Sequence, residues 1–299
     1  DVIAPILIKA GLQEGKDFFL GHCPERIDPG NKKWNVTNIP RVLGASSPKG
    51  LKMAKDFYEA IIDAPIKLME SIKEAEACKV VENSFRDINI AFVNELAKSF
   101  DKMGIDVKNV INGAATKPFA FMPHYPGRGV GGHCIPVDPY YLIEKAKESG
   151  FDHKFLRTAR EINNSMPVYT VEIMQDALNE IKMPMKDTVI GVMGLSYKAN
   201  VDDLRESPAI KIISELKKKK AKIIRFDPFI KSMSDVPNLE TFLKKCQAII
   251  LVTNHSEFAN LDPAIFKKNN IRAIVDGMNC MNKEKITKLG IKYRWIGRR

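Results

Sequence analysis

The feature that most limits the fold is a series of short apolar runs in the C-terminal half. Residues 188–195, 221–226, 248–253 and 273–276 are mostly apolar, and helical patterns separate them. Such runs suit strands buried on both faces, and helical crossovers make their pairing parallel. One crossover is marked at its start, with Ser207 as N-cap and Pro208 at N1. It ends near the cations Lys217, Lys218, Lys219 and Lys220, where positive charge suits the helix dipole. Strand, helix, strand at this spacing predicts an α/β, Rossmann-like sheet of right-handed units. Met183-Pro184-Met185-Lys186-Asp187 is the best candidate linker in front of it.

Residues 1–10 read as a helix running into Gly11 as its C′ residue. Residues 18–21, 41–44 and 65–69 read as strands and 48–62 as a helix, the pattern of the tail of a parallel α/β unit. Asp1 is no initiator and no secretory signal precedes the first helix, so the chain reads as a processed or shortened one. Residues 71–103 form one long helix with apolar side chains around most of its girth: Val80, Val81, Phe85, Ile88, Ile90, Phe92, Val93, Leu96 and Phe100. That coverage predicts burial between domains or subunits. Shorter helices are expected at 107–113 and 139–148, and a longer one at about 154–181.

Composition narrows the function classes. A chain of 299 residues, 44% hydrophobic, can build one large or two ordinary domains. No run of about 18 apolar residues is free of charge, so no membrane-spanning helix is expected. The five cysteines are odd in number and never spaced as CxxC, which argues against a disulfide framework and a zinc site and fits a reducing cytoplasm. The net charge of +11 allows an anionic ligand, but no aromatic-interleaved basic stripe or repeat points to nucleic acid.

Gly131-Gly132-His133-Cys134-Ile135-Pro136-Val137-Asp138 is the segment richest in chemistry. It sets a thiol in a glycine-rich, proline-stiffened loop after Pro126-Gly127-Arg128-Gly129, with a carboxylate four residues on. Glycine lets backbone approach a ligand closely, and a thiolate needs access and nearby dipoles or cations. A small buried hydrophobe is the commoner fate of a free cysteine, and both readings stand here. Lys79 and Asn83 share a face of the long helix, with Arg86 a turn further. A lysine in an oily helix implies an anion or a catalytic role, unless it reaches solvent or pairs with Glu76 or Glu82. Pro24-Glu25-Arg26-Ile27 follows a strand end, where α/β proteins bind ligands; an ordinary surface ion pair is the alternative. Gly191-Val192-Met193-Gly194 is a poor dinucleotide fingerprint, because no third glycine follows and a long loop, 196–206, replaces the tight turn. That loop carries Lys198, Asp202, Asp203 and Arg205, which could grip phosphate or ribose. His22, His124 and His133 lack metal-ligand spacing, so no metal is assigned.

Four segments occur in order: HCPERIDPG, AEACKVVENSFRDINIAFVNELA, GRGVGGHCIPVDPYYL and GLSYKANVDDLRESPA. Together they resemble the nucleoside-diphosphate-sugar 6-dehydrogenases, the UDP-glucose/GDP-mannose dehydrogenase family, over essentially the whole chain. The wording is most similar to the UDP-N-acetylmannosamine branch; the UDP-glucose branch has a second glutamate where this chain has Pro29, and an arginine where it has Met278. The resemblance implies a remnant of an N-terminal NAD-binding Rossmann domain (1–69), a central domain with a long dimerisation helix (70–183), and a C-terminal Rossmann-like UDP-sugar-binding domain (184–299). It implies four-electron oxidation of a UDP-sugar C6 alcohol with NAD, Cys134 as nucleophile, and Lys79, Asn83 and Asp138 as its catalytic companions. Glu25, Arg26, Ile27, Arg86, Gly131, Tyr197 and Lys198 match substrate-binding positions, and Arg205 one that reaches NAD. A homodimer or larger homo-oligomer is expected, with no nucleic-acid or membrane partner. Taken as complete, a chain with so little of the NAD domain is expected to be inactive alone. Its alternatives are a non-catalytic nucleotide-sugar-binding module, a UDP-glucose 6-dehydrogenase, or a structural dimer on the long helix.

Overall fold

The computed structural model describes residues 1–28, 31 and 33–298. Pro29 therefore lies outside the described residues. The chain falls into two compact units, residues 1–83 and 84–299.

The first unit runs α1 (Ile3–Lys9), β1 (Gly21–His22), β2 (Arg41–Ala45), α2 (Pro48–Glu59), β3 (Ile66–Leu68) and the start of α3 (Ile72–Met103). Strands β2 and β3 pair in parallel across α2, which opens on a Ser47 cap that accepts the Gly50 N–H. The strand expected at 18–21 is shifted to β1 and pairs antiparallel with β2. The shift follows from a turn at 13–18, closed by the Asp17 carboxylate on the Gln13 amide and by Gly15 N–H on the Phe18 carbonyl.

The second unit takes the rest of α3, then α4 (Val107–Ala114), α5 (Cys134–Glu148) and α6 (Lys154–Glu180). A sheet unit follows: β4 (Val189–Met193), α7 (Pro208–Lys218), β5 (Lys222–Phe226), α8 (Leu239–Lys245), β6 (Ala248–Leu251), α9 (Ser256–Ala259), α10 (Ala264–Lys268), β7 (Ala273–Asp276), α11 (Lys283–Lys288) and β8 (Lys292–Trp295). Its five strands are all parallel in the order β5-β4-β6-β7-β8, a doubly wound arrangement. The order reverses between β4 and β6, and the crevice at their carboxyl ends is the usual ligand position of such sheets. Ser207 and Pro208 cap α7 as the sequence implies, and Lys217 and Lys218 fill its last turn.

Two apolar cores lie on the sheet's two faces. One joins Val192, Ile250 and Val275 with Ala97, Val107, Met174 and Leu178 of the α3, α4 and α6 helices. The other joins Ile249 and Leu251 with Phe242, Phe258, Phe266 and Ile286. Residues 183–187 pack tightly: Met185 is buried in the first core, between left-handed turns at Lys182 and Asp187. Strand β8 lacks an apolar run that would announce it: Tyr293 and Trp295 are buried while Lys292 and Arg294 alternate with them. The helix expected at 139–148 begins earlier, at Cys134. Among the described residues no helix is long and apolar enough to cross a membrane. The burial expected of α3 is met only in part within the chain: Val93 is buried and Ile88, Ile90, Leu96 and Phe100 are half-buried, while Val81, Phe85 and Phe92 are exposed.

Candidate active site

Cys134 is not in a loop. It is the first residue of α5, exposed to solvent, with His133 as N-cap in helical geometry. The sequence reading began this helix at Pro139 because Pro136 and Pro139 look like breakers; Pro136 falls in the first turn, where no intrahelical N–H is needed. A helix N-terminus favours negative charge formed beside it. Asp138, one turn along on the same side, is half-buried.

The glycines before the thiol answer to the protein's own packing. A Cβ on Gly131 would meet Tyr197 Cβ at 2.8 Å and the Glu206 carbonyl at 2.9 Å; one on Gly132, at φ +91°, would meet the Tyr197 ring at 2.8 Å. Tyr197 fills the space beside both glycines, so packing within the chain also requires them. The Gly132 N–H donates to the Arg205 carbonyl at 2.9 Å, and Arg128 Nη2 to the Tyr197 carbonyl at 2.8 Å. Gly131, Cys134, Tyr197, Lys198 and Arg205 thus belong to one body. Arg205 is exposed and grips Asp203 at 2.7 Å; that pairing first, and the charges of Tyr197 and Cys134 last, raise its guanidinium above its ordinary value.

The glycine-rich loop is anchored from beneath by residues the sequence reading passed over. Asn94 Oδ1 accepts the Gly127 N–H at 2.9 Å, and its Nδ2 donates to Asn163 Oδ1. Asn163 and Arg160 both bind the Asp87 carboxylate, the Arg160 contact at 2.5 Å. All four are buried. Burial first pushes the Asp87 carboxyl up, against the pull of Arg160. Arg128 is also buried, and desolvation lowers its guanidinium to about 10. The signal was available: Asp87 and Asn94 stand seven apart, two turns, on an otherwise oily helix. Val130 and Pro136 line a cleft of about 670 Å³ with Arg160, Asn163 and Lys211; Cys134 is not among its lining residues.

At the sheet's reversal point the crevice is filled from within. The Leu195 and Ser196 amides both donate to Asp227 Oδ2, at 2.6 and 3.0 Å, so an internal carboxylate stands where a phosphate would. A Cβ on Gly191 would strike Phe242 and Cys246, and one on Gly194 would strike Thr253. These glycines therefore serve packing, and this turn does not fit a dinucleotide.

In the first unit, Glu25 accepts the amides of Arg26 and Ile27, both at 2.7 Å, and pairs with Arg41. Arg26 pairs with Glu82 at 2.6 Å. Glu82, one counter-ion the sequence offered Lys79, is thereby taken. Lys79 is half-buried and Asn83 buried, one turn apart on α3; Arg86, in the second unit, is exposed.

Two family models match the chain: the central domain of the UDP-glucose/GDP-mannose dehydrogenase family over residues 73–165, and its UDP-binding domain over 191–283. A UDP-N-acetyl-D-mannosamine dehydrogenase of Pyrococcus horikoshii is 35% identical over 96% of this chain and 67% of its own length. The chain belongs to the UDP-glucose/GDP-mannose dehydrogenase family. A UDP-N-acetyl-D-glucosamine 6-dehydrogenase of Pseudomonas aeruginosa is 38% identical over 88% of this chain and 64% of its own length. The solved Pyrococcus horikoshii UDP-D-ManNAc dehydrogenase superposes with a TM-score of 0.90 at 34% identity, covering 99% of this chain and 68% of that one. The chain thus spans about two thirds of the length of these dehydrogenases.

Proposed function

We propose that the protein oxidises the C6 alcohol of a UDP-sugar to a carboxylate with NAD⁺, and that the sugar is UDP-N-acetylmannosamine, giving UDP-N-acetylmannosaminuronate. The observation that carries this reading is Cys134 exposed on the first turn of α5, in one body with Tyr197, Lys198 and Arg205. The names of the relatives, several of them acting on UDP-linked acetamido sugars, support the substrate. The working division of labour keeps 1–69 as the end of the NAD domain, 70–183 as the central domain and 184–299 as the nucleotide-sugar domain.

Two NAD⁺ molecules, bound one after the other, would each accept one hydride, the first from the alcohol and the second from the thiohemiacetal; of the described residues Arg205 suits a grip on their anionic groups. Loss of the hydroxyl proton and a hydride from C6 leaves an aldehyde. The Cys134 thiolate adds to that carbonyl, and the new C–S bond holds a thiohemiacetal that cannot diffuse away. Its oxidation gives a thioester; water adds, the C–S bond breaks, and the sulfur leaves as thiolate towards the α5 N-terminus. Lys79 and Asn83 donate to the oxyanion formed at each addition, typically worth roughly 3 kcal/mol per donor. Asp138 orients the attacking water. Glu25 fixes the turn that carries Arg26 and Ile27, which this reading assigns to substrate binding; in the second unit it assigns Arg86, Gly131, Tyr197 and Lys198 to the same task. A second copy of the chain covers the exposed Phe85 and Phe92 of α3, and the thiol operates in the reducing cytoplasm.

Calorimetry with a panel of nucleotide sugars tests the reading. UDP-N-acetylmannosamine should bind at least tenfold more tightly than UDP-glucose or GDP-mannose, a gap of about 1.4 kcal/mol. Equal binding of all three, or none, would overturn the substrate assignment.

A further inference from the structure

His255 is fully buried, as are Asp227, Ser196 and Thr253 around it. Its Nδ1 lies 2.9 Å from the backbone nitrogen of Asn200. A backbone amide can only donate, so Nδ1 is bare and the ring proton sits on Nε2. Nε2 lies 3.0 Å from Asp227 Oδ2 and 3.2 Å from Ser196 Oγ, whose own proton goes to the Lys198 carbonyl at 2.8 Å. The ring is clamped by Phe229, stacked at 4.9 Å, and by Phe258, edge-on at 5.3 Å. Neither rotation nor the other tautomer keeps both contacts.

What the ring holds is the segment between Ser196 and Glu206. This segment has two left-handed residues, Asn200 at φ +60° and Glu206 at φ +50°, which persist only where surrounding contacts impose them. Asn200 is tied further by reciprocal hydrogen bonds with Ser256, the residue after His255. Tyr197 and Lys198 lie just before the pinned amide, and Arg205 after it.

We propose that His255 is a positioning residue: its imidazole joins the fixed Asp227 carboxylate to the Asn200 amide and so sets the path of residues 196–206, which present Tyr197, Lys198 and Arg205. Its consequence for binding rests on the nucleotide-sugar reading above. Its consequence for the loop does not.

Two substitutions separate the ring's nitrogens. In His255→Asn the side-chain oxygen falls near Nδ1 and can still accept the Asn200 amide. In His255→Gln the amide nitrogen falls near Nε2, so Asp227 keeps its donor while Asn200 loses its acceptor. In the full chain, hydrogen exchange across 197–206 without ligand should speed about tenfold in His255→Gln, the loss of one hydrogen bond, and stay within about threefold of the parent in His255→Asn. Calorimetric Kd for UDP-N-acetylmannosamine should follow the same split, whatever the two melting temperatures. Unchanged exchange in His255→Gln, or equal loss in both variants, would overturn the proposal. If the parent binds no nucleotide sugar, the functional reading fails, and hydrogen exchange alone still decides the role of His255.

Discussion

Asp227 shows how much one carboxylate can organise. Burial alone would raise its pKa, but His255 and the amides of Leu195, Ser196 and Ile230 outweigh that and hold it well below the usual carboxylate range. A folded-state pKa below the unfolded value of about 3.9 stabilises the protein above that pH, and the contribution disappears as pH falls further. Asp227→Asn should therefore cost roughly 2 kcal/mol at pH 7, with the gap to the parent narrowing towards pH 2. Urea unfolding across that range checks it; a constant gap would contradict the account. Such a role is hard to read from sequence. Asp227 comes 31 residues after Ser196 and 28 before His255, and only the sheet order puts them in one crevice. The tight fit of Tyr197 on Gly131 and Gly132 is equally hidden in the sequence, because it appears only when two loops are seen together.

Secondary-structure elements were legible where a local signal existed. Ser207-Pro208 announced α7, and the apolar runs announced β4, β5, β6 and β7. The N-terminus of α5 was misplaced because proline is a breaker within a helix and a favoured residue at its start. Helices α3 and α6 hold a polar seam that periodicity conceals: Asp87, Asn94, Arg160 and Asn163 face each other across them. Removing one partner of this buried pair should cost far more than removing both. Arg160→Met should destabilise by about 3–5 kcal/mol, and Asp87→Leu combined with it should recover most of the loss. A double-mutant cycle by chemical unfolding reads this directly, and additive losses would contradict it.

At the scale of the whole molecule, the fold class was legible in the sequence because parallel strands leave long apolar runs, and the family in four ordered motifs. Assembly was expected from α3, whose Phe85 and Phe92 line a groove of about 530 Å³ with Phe119 and Met122. Phe92→Glu places a charge on that face, and an assembly built there should shift to monomers in sedimentation at micromolar concentration. A parent that sediments as a monomer would remove the need for a partner. The central claim concerns one covalent bond, and intact-mass spectrometry of acid-quenched turnover with UDP-N-acetylmannosamine and NAD⁺, run on the chain joined to a whole NAD domain, tests it most directly. The account predicts a sugar-nucleotide adduct mapped to Cys134 in the parent and none in Cys134→Ala. Steady turnover by Cys134→Ala at the parent's rate, or an adduct on another cysteine, would contradict it.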